Sequence, residues 1–135
     1  AFSVMAGNGD AHLKNFGVLY RGIADDIHLS PMFDVVTTRI YRYQRSPGGP
    51  ELEDSTMALR LFSGKSNRSR TYPLPDELQR FGREVCLVHK PAEVLERIAQ
   101  GMAETLRLAR SDERISKDLL EKIGEVWQGG IAYAA

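Results

Sequence analysis

Only one cysteine, Cys86, occurs in the 135 residues, so no intramolecular disulfide is available to support a small core. A single thiol of this kind makes a reducing cytoplasm the expected compartment. No apolar run approaches the roughly 20 residues that cross a bilayer as a helix, and no membrane partner is expected. Charge of one sign is also missing. Lys and Arg number 18 against 18 Asp and Glu, and such a balanced chain is steered by its net field toward neither nucleic acid nor lipid. The opening Ala1-Phe2-Ser3-Val4-Met5-Ala6 carries no basic run and too short an apolar one for a secretion signal. It has no initiator methionine and no N-cap, which gives the expectation of a fragment that begins in the last turns of a buried helix. Internal repeats and low-complexity tracts are absent as well.

What is present suffices for one modest core. A hydrophobic content of 42% needs neither disulfide nor metal clip at this length, and residues 1–135 are expected to form a single domain. Gly7-Asn8-Gly9 tolerates positive φ and closes the opening helix. Asn15-Phe16-Gly17-Val18-Leu19-Tyr20 has strand composition, and Ile27-His28-Leu29-Ser30 alternates apolar and polar before Pro31. With the polar turn of residues 21–26 between them, they predict an antiparallel hairpin. An excursion rich in Pro and Gly, residues 46–50, precedes a further predicted strand at residues 57–62 that turns at Ser63-Gly64-Lys65.

The remainder reads as helix. Pro75 and Pro91 occupy first helical positions. Leu78, Phe81 and Val85 share one face of a segment running to about Cys86, and Val94, Leu95, Ile98, Met102, Leu106 and Ala109 follow the 3.6-residue period. A last helix carries Ile115, Leu119, Leu120, Ile123, Val126 and Trp127 and is predicted to end at Gly129-Gly130. These stripes are core, not ligand sites. The fold class expected is mainly α with small β-hairpins, an α+β arrangement.

Chemistry concentrates near the start. In Asn8-Gly9-Asp10-Ala11-His12-Leu13-Lys14-Asn15-Phe16 an acid stands five residues before an amide and an apolar strand follows, the offset used by kinase catalytic loops. Phosphoryl transfer needs a carboxylate to take or orient the acceptor proton, and an amide oxygen one loop turn away to hold a magnesium ion on the phosphates. Asp10 and Asn15 suit those two roles. A second metal ligand is offered by Asp34 in Ser30-Pro31-Met32-Phe33-Asp34. If Asn15 and Asp34 face each other across the hairpin, the midpoint falls between Ala24 and Asp25, inside the polar turn. Two oxygens then reach one hard cation, since neighbouring strands lie about 4.8 Å apart.

Other residues near this set have weaker signals. Lys14 is placed to put an ammonium on the transferring phosphate, or else is a solvated loop lysine. His12 is read as a loop-shaping residue. Arg39, Arg42 and Arg45 interleave with Tyr41 and Tyr43 directly after the candidate metal aspartate, and Lys65, Arg68 and Arg70 form a second basic stretch. Either suits an acidic partner or RNA, and either also suits a solvated face.

Gly7-Asn8-x-Asp10-x-His12-x-x-Asn15-Phe16 followed by Leu29-Ser30-Pro31-x-x-Asp34 resembles the signature pair of the HipA family, the kinase toxins of bacterial toxin–antitoxin modules. The similarity continues more weakly through Met57-Ala58-Leu59-Arg60-Leu61, Gly64-Lys65, Phe81-Gly82 and the C-terminal helices. The resemblance implies the C-terminal helical lobe of a protein-kinase-like fold, with ATP and Mg²⁺ as cofactors and a protein serine or threonine as acceptor. In that reading Asp10 is the catalytic base, and Asn15 and Asp34 are the metal ligands; beside it, the ammonium of Lys14 is expected to join catalysis and, with Asn15, to hold nucleotide. It also implies growth arrest by phosphorylation of a protein such as an aminoacyl-tRNA synthetase. A HipB-like helix-turn-helix antitoxin is the implied partner, with operator DNA reached indirectly through it.

The departures matter as much. No Gly-rich phosphate loop, N-lobe lysine or hinge is visible, and Gly7-Asn8-Gly9 lies directly before the catalytic acid, where it cannot be such a loop. The ATP-binding lobe is therefore expected N-terminal to this chain, and the chain alone is expected to be inactive. Two alternatives remain: a non-catalytic module that binds an antitoxin and co-represses transcription, and a small-molecule kinase of the aminoglycoside or choline type. The latter usually opens its loop with His-Gly-Asp, whereas Asn8 precedes Gly9 and Asp10 here.

Overall fold

Local sequence signals set the ends of most helices. The computed structural model describes residues 1–22, 26–62 and 70–135. Helix α1 (Phe2–Met5) is a single turn whose exit is closed by Gly7, with φ at +70°. Helix α2 (Pro75–Glu84) starts on its proline, and the Glu77 carboxylate reaches back to accept from the Leu74 N–H at 2.8 Å. Val85, expected on the buried face, is the exposed C-cap, because α2 stops one residue before it. Helix α3 (Pro91–Ala109) buries Leu95, Ala99, Met102 and Leu106 at helical spacing. Helix α4 (Lys117–Ile131) is capped by Ser116, whose Oγ accepts from the Leu119 N–H.

The predicted stop at Gly129-Gly130 is corrected: α4 runs through both glycines to Ile131 and tightens into a 3₁₀ turn, Ala132–Ala134. Gly130 serves packing. A Cβ there would lie 1.8 Å from the Met5 carbonyl oxygen, so the missing side chain is what lets α4 lie against the backbone at the end of α1. Tertiary contact outweighs the poor helix propensity of glycine.

One cluster of Val4, Met5, Met57, Leu78, Leu95, Ala99 and Met102 forms the core, with Trp127, Ile131 and Tyr133 packed on it. Helix α3 lies against α2 and α4, and α4 against α1. Two short antiparallel pairs sit apart from the helices. Strands β1 (Val18–Leu19) and β2 (His28–Leu29) pair Val18 with Leu29 and Leu19 with His28. Strands β3 (Arg42–Gln44) and β4 (Glu51–Glu53) flank the Pro- and Gly-rich excursion. With about 46% of the described residues in α- or 3₁₀-helix against these two small pairs, the chain is mainly α with small β-hairpins. Among the described residues no helix is long and apolar enough to cross a membrane.

Residues 57–62 do not form the expected strand. Among the described residues an isolated bridge joins Thr56 to Thr71, and the Met57 N–H donates to the Arg70 carbonyl at 2.6 Å. The apolar side chains go to helices instead: Met57 is buried in the core, and Phe62 packs edge-on against Phe81 with ring centroids 5.8 Å apart. The expected turn at Ser63-Gly64-Lys65 and the hairpin midpoint at Ala24 and Asp25 lie outside the described residues, as do Lys65 and Arg68.

Candidate active site

The segment from Gly7 to Asn15 is held at each end by side chains from elsewhere. Gly7 and Gly9 are fastened by Thr38, whose Oγ1 accepts from the Gly9 N–H at 2.7 Å and donates to the Gly7 carbonyl at 3.2 Å. The Arg39 N–H also donates to the Gly7 carbonyl, and the Ala58 N–H donates to that of Gly9 at 2.7 Å. Between the glycines Asn8 is 2% exposed, and its Oδ1 accepts from the Asp10 N–H at 3.1 Å. Asp10 is thus an exposed carboxylate on a backbone fixed from three directions. The spacing is tight: a Cβ at Gly9 would lie 2.4 Å from the Thr56 carbonyl oxygen.

Beyond Asp10 the chain makes a 3₁₀ turn, Leu13–Asn15. Asn15 closes it through its Oδ1, which accepts from the His12 N–H at 2.9 Å, while its Nδ2 donates to Asp34 Oδ2 at 2.7 Å. Asn15 and Asp34 therefore meet, but not by strand register. The β1–β2 pairing joins residues whose numbers sum to 47 (18 + 29), which would set Met32 opposite Asn15. The 3₁₀ turn on one side and a left-handed Asp34, φ +55°, on the other bring the two side chains together. A non-glycine residue at positive φ is a strained conformation that its surroundings must impose.

Two grooves meet at this segment. Gly9 and Asp10 line one of about 600 Å³, together with Thr38, Tyr41, Arg42, Tyr43, Asp54, Thr56 and Arg70. Asn8, Ala11, Asn15 and Asp34 line another of about 460 Å³ whose walls are mostly apolar, Phe2, Phe16, Leu29, Met32 and Phe33 among them. Met57 contributes to both. Of the sequence-predicted set, the structure joins Asn15 to Asp34 and places Asp10 across the loop in the neighbouring groove. Lys14 is exposed on the 3₁₀ turn, lines neither groove and makes no ion pair among the described residues. His12 keeps its Nδ1 buried without a hydrogen-bond partner among the described residues.

Residues 37–54 frame the first groove. Glu53 accepts from Arg39 Nε at 2.6 Å and Arg42 Nη1 at 3.0 Å. Partial burial pushes the Glu53 carboxyl up, and the two guanidinium hydrogen bonds outweigh it, so its pKa lies below the ordinary glutamate value. The hydroxyl and N–H of Thr56 hold the Asp54 carboxyl below its usual range. Arg39 also stacks on Tyr72, whose phenol burial pushes up to about 12. Trp127 on α4 donates its indole N–H to Thr37 Oγ1 at 3.0 Å, tying this segment to the helices. Thr38 and the Glu53 clasp carry no motif spacing, and sequence reasoning missed both.

Residues 1–109 match the family model of the HipA-like C-terminal domain. The chain belongs to that family. The match covers all of the candidate site and ends with α3, short of α4. No curated protein and no solved structure matches the chain. HipA-like proteins are known for kinase activity.

Proposed function

We propose that this HipA-like domain is the catalytic-loop and metal-binding half of a protein serine/threonine kinase that acts as a growth-arresting toxin, in the C-terminal lobe of a protein-kinase-like fold. The observation that carries this reading is the 2.7 Å contact between Asn15 and Asp34, distant in sequence, beside the loop that bears Asp10.

The donor set suits magnesium delivered with nucleotide. Among the described residues no three or more His, Cys, Asp or Glu cluster as a metal cage, and Mg²⁺ typically takes one or two protein oxygens, water and substrate phosphates. Asn15 and Asp34 would hold it. The Asn15 Oδ1 has a second lone pair beyond the one that His12 uses, and the Nδ2 contact to Asp34 would have to give way for both side chains to hold the ion. When bound, the ion offsets charge on the transferring phosphoryl group.

This chain's own residues divide the remaining work. Asp10 takes the proton of the acceptor hydroxyl. A bond then forms between the acceptor oxygen and the γ-phosphorus of ATP, the bond from that phosphorus to the β,γ-bridging oxygen breaks, and ADP leaves. The two grooves suit that division, with the hydroxyl on the Asp10 side and the phosphates on the Asn15–Asp34 side. Lys14 reaches the phosphates only by moving from its exposed position. An apolar floor such as Phe16, Leu29 and Met32 suits a nucleobase.

The test is Asp10→Asn in the full-length protein, assayed for transfer of labelled γ-phosphate to serine or threonine. Loss of about 10²–10⁴-fold in rate is expected with folding intact. Transfer at the wild-type rate would remove Asp10 from catalysis. No transfer by the wild type, combined with tight binding of a helix-turn-helix partner by both forms, would make this an interaction module.

A further inference from the structure

The groove beside Asp10, given to the acceptor hydroxyl by the phosphoryl-transfer reading, is bordered by a strand for which that reading has no use. Among the described residues β3 has one sheet neighbour, β4. One of its edges therefore presents backbone N–H and C=O groups with no strand beside them. Tyr41, Arg42 and Tyr43 line the groove, and none of the three β4 residues does. The unpaired edge of β3 thus borders the groove that contains Asp10.

Charge narrows the occupant. Glu53 ties up Arg39 and Arg42, and the carboxylates of Asp10 and Asp54 stand against Arg42 and Arg70 on the lining. Arg70 makes no ion pair among the described residues. A groove so balanced disfavours a nucleic-acid backbone, which requires an excess of Lys and Arg to displace its counterions. A peptide main chain has no such need, and strand addition draws its affinity from backbone hydrogen bonds. Exposed tyrosines at 41 and 43 add amphipathic contact area with little rotamer freedom to lose.

We infer that the acceptor is an extended peptide segment that adds to the unpaired edge of β3, bringing its serine or threonine hydroxyl to Asp10. Tyr41 and Tyr43 contact the side chains flanking the hydroxyl, and Arg70 takes a carboxylate or main-chain carbonyl of the peptide. The inference rests on the kinase reading and adds to it where, and in what conformation, the acceptor binds.

The experiment uses the full-length protein with ATP and a pool of Ser-centred peptides, the best of which is then remade with single backbone N-methyl groups. Methylation is expected to raise the acceptor KM about tenfold at alternate residues and little at those between, the signature of an antiparallel or parallel ladder. Tyr41→Ala and Arg70→Ala are expected to raise the acceptor KM about fivefold without moving the KM for ATP. An acceptor KM indifferent to methylation at every position overturns strand addition. So does phosphorylation of no peptide in the pool by a protein that still modifies a folded acceptor, as does competition by single-stranded RNA that is lost in the Tyr41 and Arg70 variants. If Asp10→Asn leaves transfer intact the kinase reading itself fails; if it abolishes transfer and the groove variants behave as wild type, this inference alone fails.

Discussion

Replacing Gly130 by Ala should unfold the chain more readily, whereas the same change at Gly129 should stabilise it. At Gly130 the new Cβ would stand 1.8 Å from the Met5 carbonyl oxygen and 2.6 Å from its carbon. Reaching an ordinary contact of about 3.4 Å requires a displacement of about 1.6 Å (3.4 − 1.8) between two backbones, with no side chain free to yield. Such overpacking costs about 3 kcal/mol, and the helix propensity gained offsets about 1 kcal/mol, leaving a net loss of about 2 kcal/mol. At Gly129 nothing among the described residues lies within 4 Å of a built Cβ, so only the gain of about 1 kcal/mol remains. Trp127, the one tryptophan, lies on the same helix and hydrogen-bonds Thr37, so its fluorescence reports unfolding in urea. With a denaturant slope of about 2 kcal/mol per molar, the Gly130→Ala midpoint should fall by about 1 M and the Gly129→Ala midpoint should rise by about half that. A Gly130→Ala midpoint at or above wild type would refute the packing argument and with it the docking of α4 on the residues that lead into the Asp10 loop.

The other tests address the site. Thr38→Ala strands the Gly9 N–H beside Asp10 and should cost about 1–3 kcal/mol in urea unfolding, while Thr38→Ser restores most of it; equal losses in both would show that the methyl, not the hydroxyl, matters. In the full-length protein Thr38→Ala should also lower kcat more than it raises the KM for ATP, because the hydroxyl positions the Asp10 loop without touching nucleotide. Glu53 has a folded pKa below its unfolded value of about 4.3. Its contribution to stability is therefore fully present above that value and is lost as pH falls through the lower folded pKa. Urea midpoints taken from pH 6 downward should drop more steeply for wild type than for Glu53→Gln, and parallel profiles would show that the Arg39–Glu53–Arg42 clasp does not couple to folding.

Periodicity at 3.6 residues and the prolines at helix starts were enough to place α2 and α3, because burial of one face and the fixed φ of proline act within a few residues. The hairpin 18–29 was legible from its composition and polar turn. The strand expected at residues 57–62 was not formed, since its apolar residues serve α2 and the core, a demand invisible to a local window. The glycine pair of α4 failed as a stop signal for the same reason, since packing against Met5 decided it, whereas Val85 is exposed because α2 ends one residue before it. At the site the Asp-x-His-x-x-Asn spacing identified Asp10 and Asn15 as candidates and Asp34 followed from the hairpin, yet the register offered to join the last two was not the one used.

The sequence by itself determined the family, the helical class and the residue types available for phosphoryl transfer, because these reside in short-range patterns of side-chain chemistry. Tertiary structure alone decided that Asn15 meets Asp34 through a left-handed turn, that Thr38 holds the Asp10 loop, and that Asp10 opens onto a different groove from the Asn15–Asp34 pair. Each of those depends on contacts between residues from 19 to 31 positions apart, which no local pattern encodes and which form only when the helices, with α4 laid against Met5 at Gly130, bring the segments together.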